Sequence, residues 1–276
     1  MCGSTSGPAC KLPPVTTTSF ADINAAILRV DDANVLVAAQ TDTALRIALD
    51  MCRPRNWQGT GASTALLDAA KAEALPLAWV PPADVIRRLD AATSAAERKS
   101  MLLGARDAIL EACIAVVEEC DHPGVAESRT LVGAAVRAVK DGHHAAGMSL
   151  AVAVGEKLAM WAIEPRVIGF SSQYDYEQWK SRWDRENKKH ERLAQVAGRL
   201  GQAWEFPHLV LIAPLHAFFV GFNPGGVEPE HLSRNVVAHA PTNDHLNPLN
   251  ALKSVMMVTG ILRSQQEWAV DLGDHY

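Results

Sequence analysis

Hydrophobic positions along this chain recur mostly three and four residues apart, the spacing of one face of an α-helix. Leu66, Leu67, Ala70 and Ala74 mark such a face over residues 62–75. Val80-Pro81-Pro82 is a stop, and a short helix is expected over 83–92. Ser94 then reads as the cap of a long helix with a broad apolar face, on which Leu102, Ile109, Cys113, Val116 and Val117 fall. Asp121-His122-Pro123-Gly124 ends it, and residues 125–140 and 143–163 form two more helices separated by Asp141-Gly142. Residues 209–222 are apolar almost all round, as a helix buried on several sides would be. Asn247-Pro248, a cap followed by a first-turn proline, opens a last helix over 248–268 that buries Leu252, Val255, Met256 and Leu262.

Upstream, residues 1–19 are rich in Ser, Thr, Pro and Gly and lack helical periodicity, so a disordered tail is expected. A first helix over 21–30 and an apolar-faced segment after Asp31-Asp32 follow, and Arg53-Pro54 with Gly59 and Gly61 interrupts them. Residues 177–204 form a long charged helix with Trp179, Trp183, Leu193, Leu200 and Trp204 on one side. Short β-branched runs are absent outside helical contexts. The whole therefore reads as an all-α protein, an antiparallel helical bundle, with a tail (1–19), an N-terminal helical region (20–92) and a main helical domain (93–276).

Composition narrows the setting. Of the 276 residues 48% are hydrophobic, enough for a substantial core. A net charge of −5 and a pI near 6.1 argue against a protein that coats nucleic acid. The five cysteines are scattered, at 2, 10, 52, 113 and 120, and fit neither a disulfide framework nor a zinc site; Cys113 and Cys120 are expected as buried thiols. No signal-peptide pattern opens the sequence, and residues 209–222 are too short to span a membrane and contain Pro214 and His216. A cytoplasmic protein without a membrane partner is the expectation.

The chemistry concentrates in the stretch His231-Leu-Ser-Arg-Asn-Val-Val-Ala-His239, followed by Ala240-Pro241. Glu228-Pro229-Glu230 suits a helix start, and on one continuous helix His231, Asn235 and His239 would form a polar stripe at i, i+4 and i+8, with Arg234 on its flank. Metal-free RNA cleavage needs a base for the 2′-hydroxyl proton, a cation for the charge building on phosphorus and an acid for the leaving 5′-oxygen. His serves as base or acid near neutral pH, and Arg presents a permanently charged fork to phosphate. Arg234 and His239 sit about 140° apart around one helix, so two motif helices facing each other across a twofold axis would converge on a phosphate better than one. The bland reading stands beside this: Arg234 pairing with Glu230 at i−4, and His239 capping the carbonyls at the helix end.

This stretch resembles the Arg-x(4–6)-His motif of the HEPN superfamily, helical domains many of which are metal-independent RNases of toxin, abortive-infection and CRISPR systems. Arg234 and His239 match the motif residues, and Asn235 matches the polar residue usual after the Arg. The following helix, 247–263, looks like the closing helix of such domains, and residues 142–156 are similar to an earlier bundle helix. Ala240 departs from the pattern, since a Gly often follows the His. The resemblance implies a HEPN-like fold in the C-terminal part and a homodimer. It gives Arg234 the scissile phosphate, His239 the proton transfer and Asn235 an orienting role. His231 is an added RNA contact outside the shared motif. The polar side of the 177–204 helix, with Lys180, Arg185, Lys188, Lys189 and Arg192, reads as a solvated face or as a grip on RNA phosphates. No metal or other cofactor is expected, and an antitoxin or regulatory protein is a candidate partner. Two functions follow: a metal-independent endoribonuclease acting as a toxin or antiphage effector, or a non-catalytic interaction, sensor or adaptor protein built on the same bundle. HExxH, P-loop, GxGxxG and GxSxG patterns are absent.

Overall fold

A computed structural model describes residues 54–162, 206–219, 222 and 225–271, all within one compact unit, Leu49–Tyr276. The tail, the expected helix over 21–30 and the charged helix with Lys180, Arg185, Lys188, Lys189 and Arg192 lie outside the described residues. Among those residues the regular structure is entirely helical, an all-α bundle with no strand. We number its α-helices α1 (Thr64–Glu73), α2 (Ala83–Ala91), α3 (Ala95–Gly104), α4 (Arg106–Glu118), α5 (Ala126–Lys140), α6 (His144–Ala162), α7 (Phe206–Phe219), α8 (Arg234–His239) and α9 (Pro248–Asp271). Short 3-10 turns precede α1 and α5, at Arg55–Trp57 and Pro123–Val125. No helix among the described residues is long and apolar enough to cross a membrane.

The core is built around α9. Residues 250–262 of this helix are buried without interruption, on every face. Helices α4, α5 and α6 pack around it, with α3 and α7 at its flanks. Asn247 starts it as expected: its side-chain Oδ1 accepts the Asn250 N–H at 2.9 Å, and Pro248 fills the first turn. Helices α5 and α6 form a hairpin through Asp141-Gly142, where Gly142 takes a φ of 88° that a side chain would strain. A Cβ at Gly147 would lie 2.5 Å from Val139 Cγ2 and 2.9 Å from the Ala135 carbonyl, so a side chain there would collide with α5. Gly260 plays the same part in α9, where a Cβ would come within 2.8 Å of the Ala78 carbonyl.

The segment before α2 joins the same core. Trp57, Leu66, Leu75, Leu77, Ile86 and Leu89 are buried in one apolar cluster with α4–α7 and α9, so the packing runs unbroken across Pro81-Pro82 and residue 92. Asn56 Nδ2 donates to the carbonyls of Leu77 (3.1 Å) and Pro81 (2.9 Å), and Trp57 Nε1 donates to that of Leu77 (2.7 Å). Trp79, at φ 67°, donates through Nε1 to Ser264 Oγ of α9 at 3.2 Å and lies under the Arg263 guanidinium.

The single long helix expected after Ser94 is two. Ser94 does cap α3, accepting the Glu97 N–H. At Ala105, however, φ −99° and ψ 9° break the axis before α4 begins. Gly104 at this point lacks a side chain to pack and is exposed, so nothing on the outer face holds the axis straight. Cys113 and Cys120 are free and buried. Burial pushes the Cys113 thiol up to about 12 and the Cys120 thiol up to about 11, the latter against the lowering influence of Arg263.

One cation sits inside this core. Lys253 of α9 is 2% exposed and donates to the Glu73 carbonyl at the end of α1 at 3.1 Å. Glu73 itself is held by Arg98, whose Nε donates to Oε1 at 2.8 Å. Desolvation, helped by the nearby charge of Lys99, brings the Lys253 amine down to about 8 from 10.5, against Glu73 and Glu230. In the unfolded chain the amine keeps its proton up to about pH 10.5. The folded state therefore carries the full cost of this charge below pH 8 and sheds it as pH rises to 10.5. That cost is about 3 kcal/mol, and the carbonyl bond returns about 1. Lys253→Met is therefore expected to stabilise the protein by about 2 kcal/mol at pH 7. Its advantage should shrink toward pH 10.5, read by urea unfolding of both chains at each pH; the thiols titrate alike in both and cancel. Gly147→Ala and Gly260→Ala are each expected to lose about 1–3 kcal/mol in the same assay.

Candidate functional site

The stretch singled out by sequence folds as a loop followed by one short helix. Helix α8 begins only at Arg234 and has 6 residues. Ser233 caps it, its Oγ accepting the Val236 N–H at 3.4 Å. A start at Glu228-Pro229-Glu230 does not occur, because Ser233, in the β region at φ −125° and ψ 123°, takes the cap, and residues 227–233 are not helical. The stripe of His231, Asn235 and His239 is thereby cut: Asn235 and His239 lie on α8, while His231 lies in the loop, half-buried. Val236 and Val237 are buried and seat α8 against α6 and α7.

Arg234 reaches across to α6. Its Nε donates to Glu156 Oε2 at 3.1 Å, and its Nη2 lies 3.0 Å from Oε1 and 2.9 Å from Oε2. Its Nη1 donates to Asn235 Oδ1 at 3.0 Å. The guanidinium is thus fixed in plane, with its Nε/Nη2 edge on a carboxylate and Nη1 on an amide oxygen. The two charged side chains are 24% and 30% exposed, so the pair sits at the rim of the core, open to solvent on one side. The Arg234–Glu230 pair considered from sequence does not form; Glu230 pairs with Lys99 at 3.2 Å. His239, in the last turn of α8, is exposed and makes no side-chain hydrogen bond among the described residues.

A second set of contacts holds the loops on either side of α8. The Ser233 N–H donates to His245 Nε2 at 3.1 Å, and His245 Nδ1 lies 3.2 Å from Glu228 Oε1. Thr242 Oγ1 donates to the Glu228 carboxylate, 2.8 Å from Oε2, and accepts the His245 N–H at 3.1 Å. Asn250 Nδ2, from the first turn of α9, donates to the His245 carbonyl at 3.0 Å. Ser, His and Glu here have the composition of a hydrolytic triad but not its geometry. The imidazole meets the serine amide rather than its hydroxyl, and Ser233 is completely buried.

The structure thus brings together Arg234 and Asn235 and adds Glu156, which sequence reasoning had only as the end of a bundle helix. It leaves His239 in the last turn of the same helix, and among the described residues no hydrogen bond joins it to Arg234. Glu228 and His245 were also missed as partners. The Thr242-Asn-Asp-His245 turn before a capped helix was their only local sign. Among the described residues no group of three His, Cys, Asp or Glu side chains is placed to hold a metal ion. Comparison with protein-family models, curated proteins and solved structures finds no match.

The Arg234–Glu156 pair ties α8 to α6 by charge-assisted bonds at a partly shielded position. Glu156→Ala is expected to lower stability by about 1–3 kcal/mol, and a double-mutant cycle with Arg234→Ala to give a coupling of about 1 kcal/mol or more. Urea denaturation of the four chains measures both; a coupling near zero would show that the pair does not hold α8 in place.

Proposed function

We propose that the chain is a metal-independent endoribonuclease of HEPN type. It would act as a homodimer in a reducing cytoplasm, as a toxin or antiphage effector. The observation that carries this reading is an arginine locked in one orientation, five residues before an exposed histidine on the same short helix. A fixed guanidinium loses little freedom on meeting a phosphate, which is the requirement for stabilising charge on phosphorus. An exposed imidazole without a side-chain hydrogen bond among the described residues is available for proton transfer. In this mechanism one His takes the 2′-hydroxyl proton, the 2′-oxygen attacks phosphorus, and the 5′-oxygen leaves with a proton from the other copy's His. The products are a 2′,3′-cyclic phosphate and a 5′-hydroxyl. The paired copies supply the convergence that residues about 140° apart on one helix lack. Asn235 orients Arg234. His231, Lys180, Arg185, Lys188, Lys189 and Arg192 would hold flanking RNA phosphates, and an antitoxin or other regulatory protein would restrain the activity.

One observation favours a second reading. Glu156 occupies the two-donor edge with which an arginine usually grips a phosphate. In a non-catalytic interaction or adaptor protein, Arg234 is simply the tie between α8 and α6.

The two are separated by incubating total RNA and transfer RNA in EDTA with wild type, His239→Ala and Arg234→Lys. The nuclease reading expects cleavage by wild type with cyclic-phosphate ends, and a fall of at least about 100-fold in His239→Ala, whose exposed side chain leaves the fold intact. Arg234→Lys keeps the charge but loses the fork and is expected to fall by about tenfold or more. Equal cleavage by wild type and His239→Ala would remove His239 from the chemistry. No cleavage by a well-folded wild-type dimer would favour the adaptor.

A further inference from the structure

We infer that His245, held between Glu228 and the amide of Ser233, is a proton-operated clamp on the helix that carries Arg234: the neutral ring fixes the start of α8, and the protonated ring releases it. This inference concerns the placement of α8 and does not rest on the nuclease reading.

The hydrogen bonds assign the proton. An amide N–H only donates, so His245 Nε2, 3.1 Å from Ser233 N, must offer its lone pair. A carboxylate only accepts, so Nδ1, 3.2 Å from Glu228 Oε1, carries the hydrogen. Both ring nitrogens are then satisfied in one neutral tautomer. Adding a proton at Nε2 would set two donors against each other. His245 is 1% exposed and Ser233 0%, so solvent does not reach in to accept either hydrogen. One of the two groups must move.

What moves is set by what holds α8. A helix of 6 residues has no stability of its own. It is kept by two buried valines, by the Arg234–Glu156 pair, and by the Ser233 cap residue, whose amide the imidazole grips. Arg234 follows Ser233 directly. His245 also connects the two loops: Glu228 precedes α8, Thr242 follows it, and Asn250 anchors the ring's own backbone to α9.

The surroundings set the direction. Among the described residues, Glu228 is the charged group that acts on the ring and favours the imidazolium. Of the other charged groups on neighbouring segments, Asp244 is exposed, Glu230 is turned to Lys99, Arg234 to Glu156 and Lys253 to the Glu73 carbonyl. Burial outweighs Glu228 and brings His245 below the ordinary histidine value of 6.5. The unfolded chain therefore takes up this proton first. The stability contributed by the neutral ring is complete above pH 6.5 and is lost as pH falls below it. The clamp is closed at neutral pH and opens in acid.

The test is hydrogen exchange on the full chain between pH 7.5 and 5, corrected for the intrinsic pH dependence of amide exchange, with the His245 ring nitrogens followed by NMR in the same samples. In the wild type, amides 233–240 are expected to lose protection at least about tenfold more than those of α5, with a midpoint that follows the His245 ring. At pH 7.5 that ring should be the Nδ1–H tautomer. In Glu228→Gln, which keeps an acceptor but removes the charge, the midpoint should move to lower pH. In His245→Asn the pH dependence should vanish; if that chain does not fold, the wild-type ring titration and Glu228→Gln decide. The inference is overturned if amides 233–240 keep their protection while the His245 ring titrates. It is overturned equally if the ring is Nε2–H at pH 7.5, or if the loss persists in His245→Asn and so belongs to His231 or His239.

Discussion

A helix buried on every side is the constraint from which the rest of this structure follows. Over residues 250–262 of α9 no face is left for polar side chains to reach water, yet the sequence places Asn250, Lys253, Ser254 and Thr259 there, and buries Ser264, Gln265 and Gln266 just beyond. Unpaired polar groups in such a place would each cost about 1–3 kcal/mol. Several are used as ties to a different neighbour: Asn250 to the loop after α8, Lys253 to the end of α1, Ser264 to Trp79, and Gln266 to Asp121 and the His122 amide. Hydrophobic burial holds the helices to α9, but it is directionless. The polar ties fix which residue lies against which.

The same logic places the candidate site. Gly155 and Glu156 are adjacent on α6 and serve opposite demands. Gly155 lets α6 close on Val258 of the central helix, while Glu156 points to Arg234. The position of Arg234 is therefore referred to the core through one residue step. The short helix that carries it is a guest on this framework, held by side chains from segments before and after it.

Much of the fold was legible in the hydrophobic spacing, because each helix must show the core one apolar face whatever its partner. Residues 83–92, 125–140 and 248–268 read close to their observed limits for that reason, as did the cap at Asn247. Periodicity cannot register an interruption that keeps the apolar face in phase, and so α3 and α4 read as one helix across Ala105. The motif helix read as starting too early because Glu228-Pro229-Glu230 has the composition of a first turn, while the cap is taken by Ser233. Arg234, Asn235 and His239 could be singled out as a chemical pattern. Their partners could not. Glu156 is 78 residues from Arg234, and His245 meets a backbone amide, which no side-chain pattern encodes.

The hub helix also has a bearing on how the chain comes to be assembled. Synthesis proceeds from the N-terminus at about 5–20 residues per second, so α3 to α6 emerge well before α9. Until then those helices have partners for one another but no central rod to close upon, and their apolar inner faces stay open to water. Glu156 likewise waits for Arg234, and Ser233 for His245. The residues of the candidate site can take up their final geometry only when residues 248–271 have arrived, so the site forms after the helices that frame it have been made.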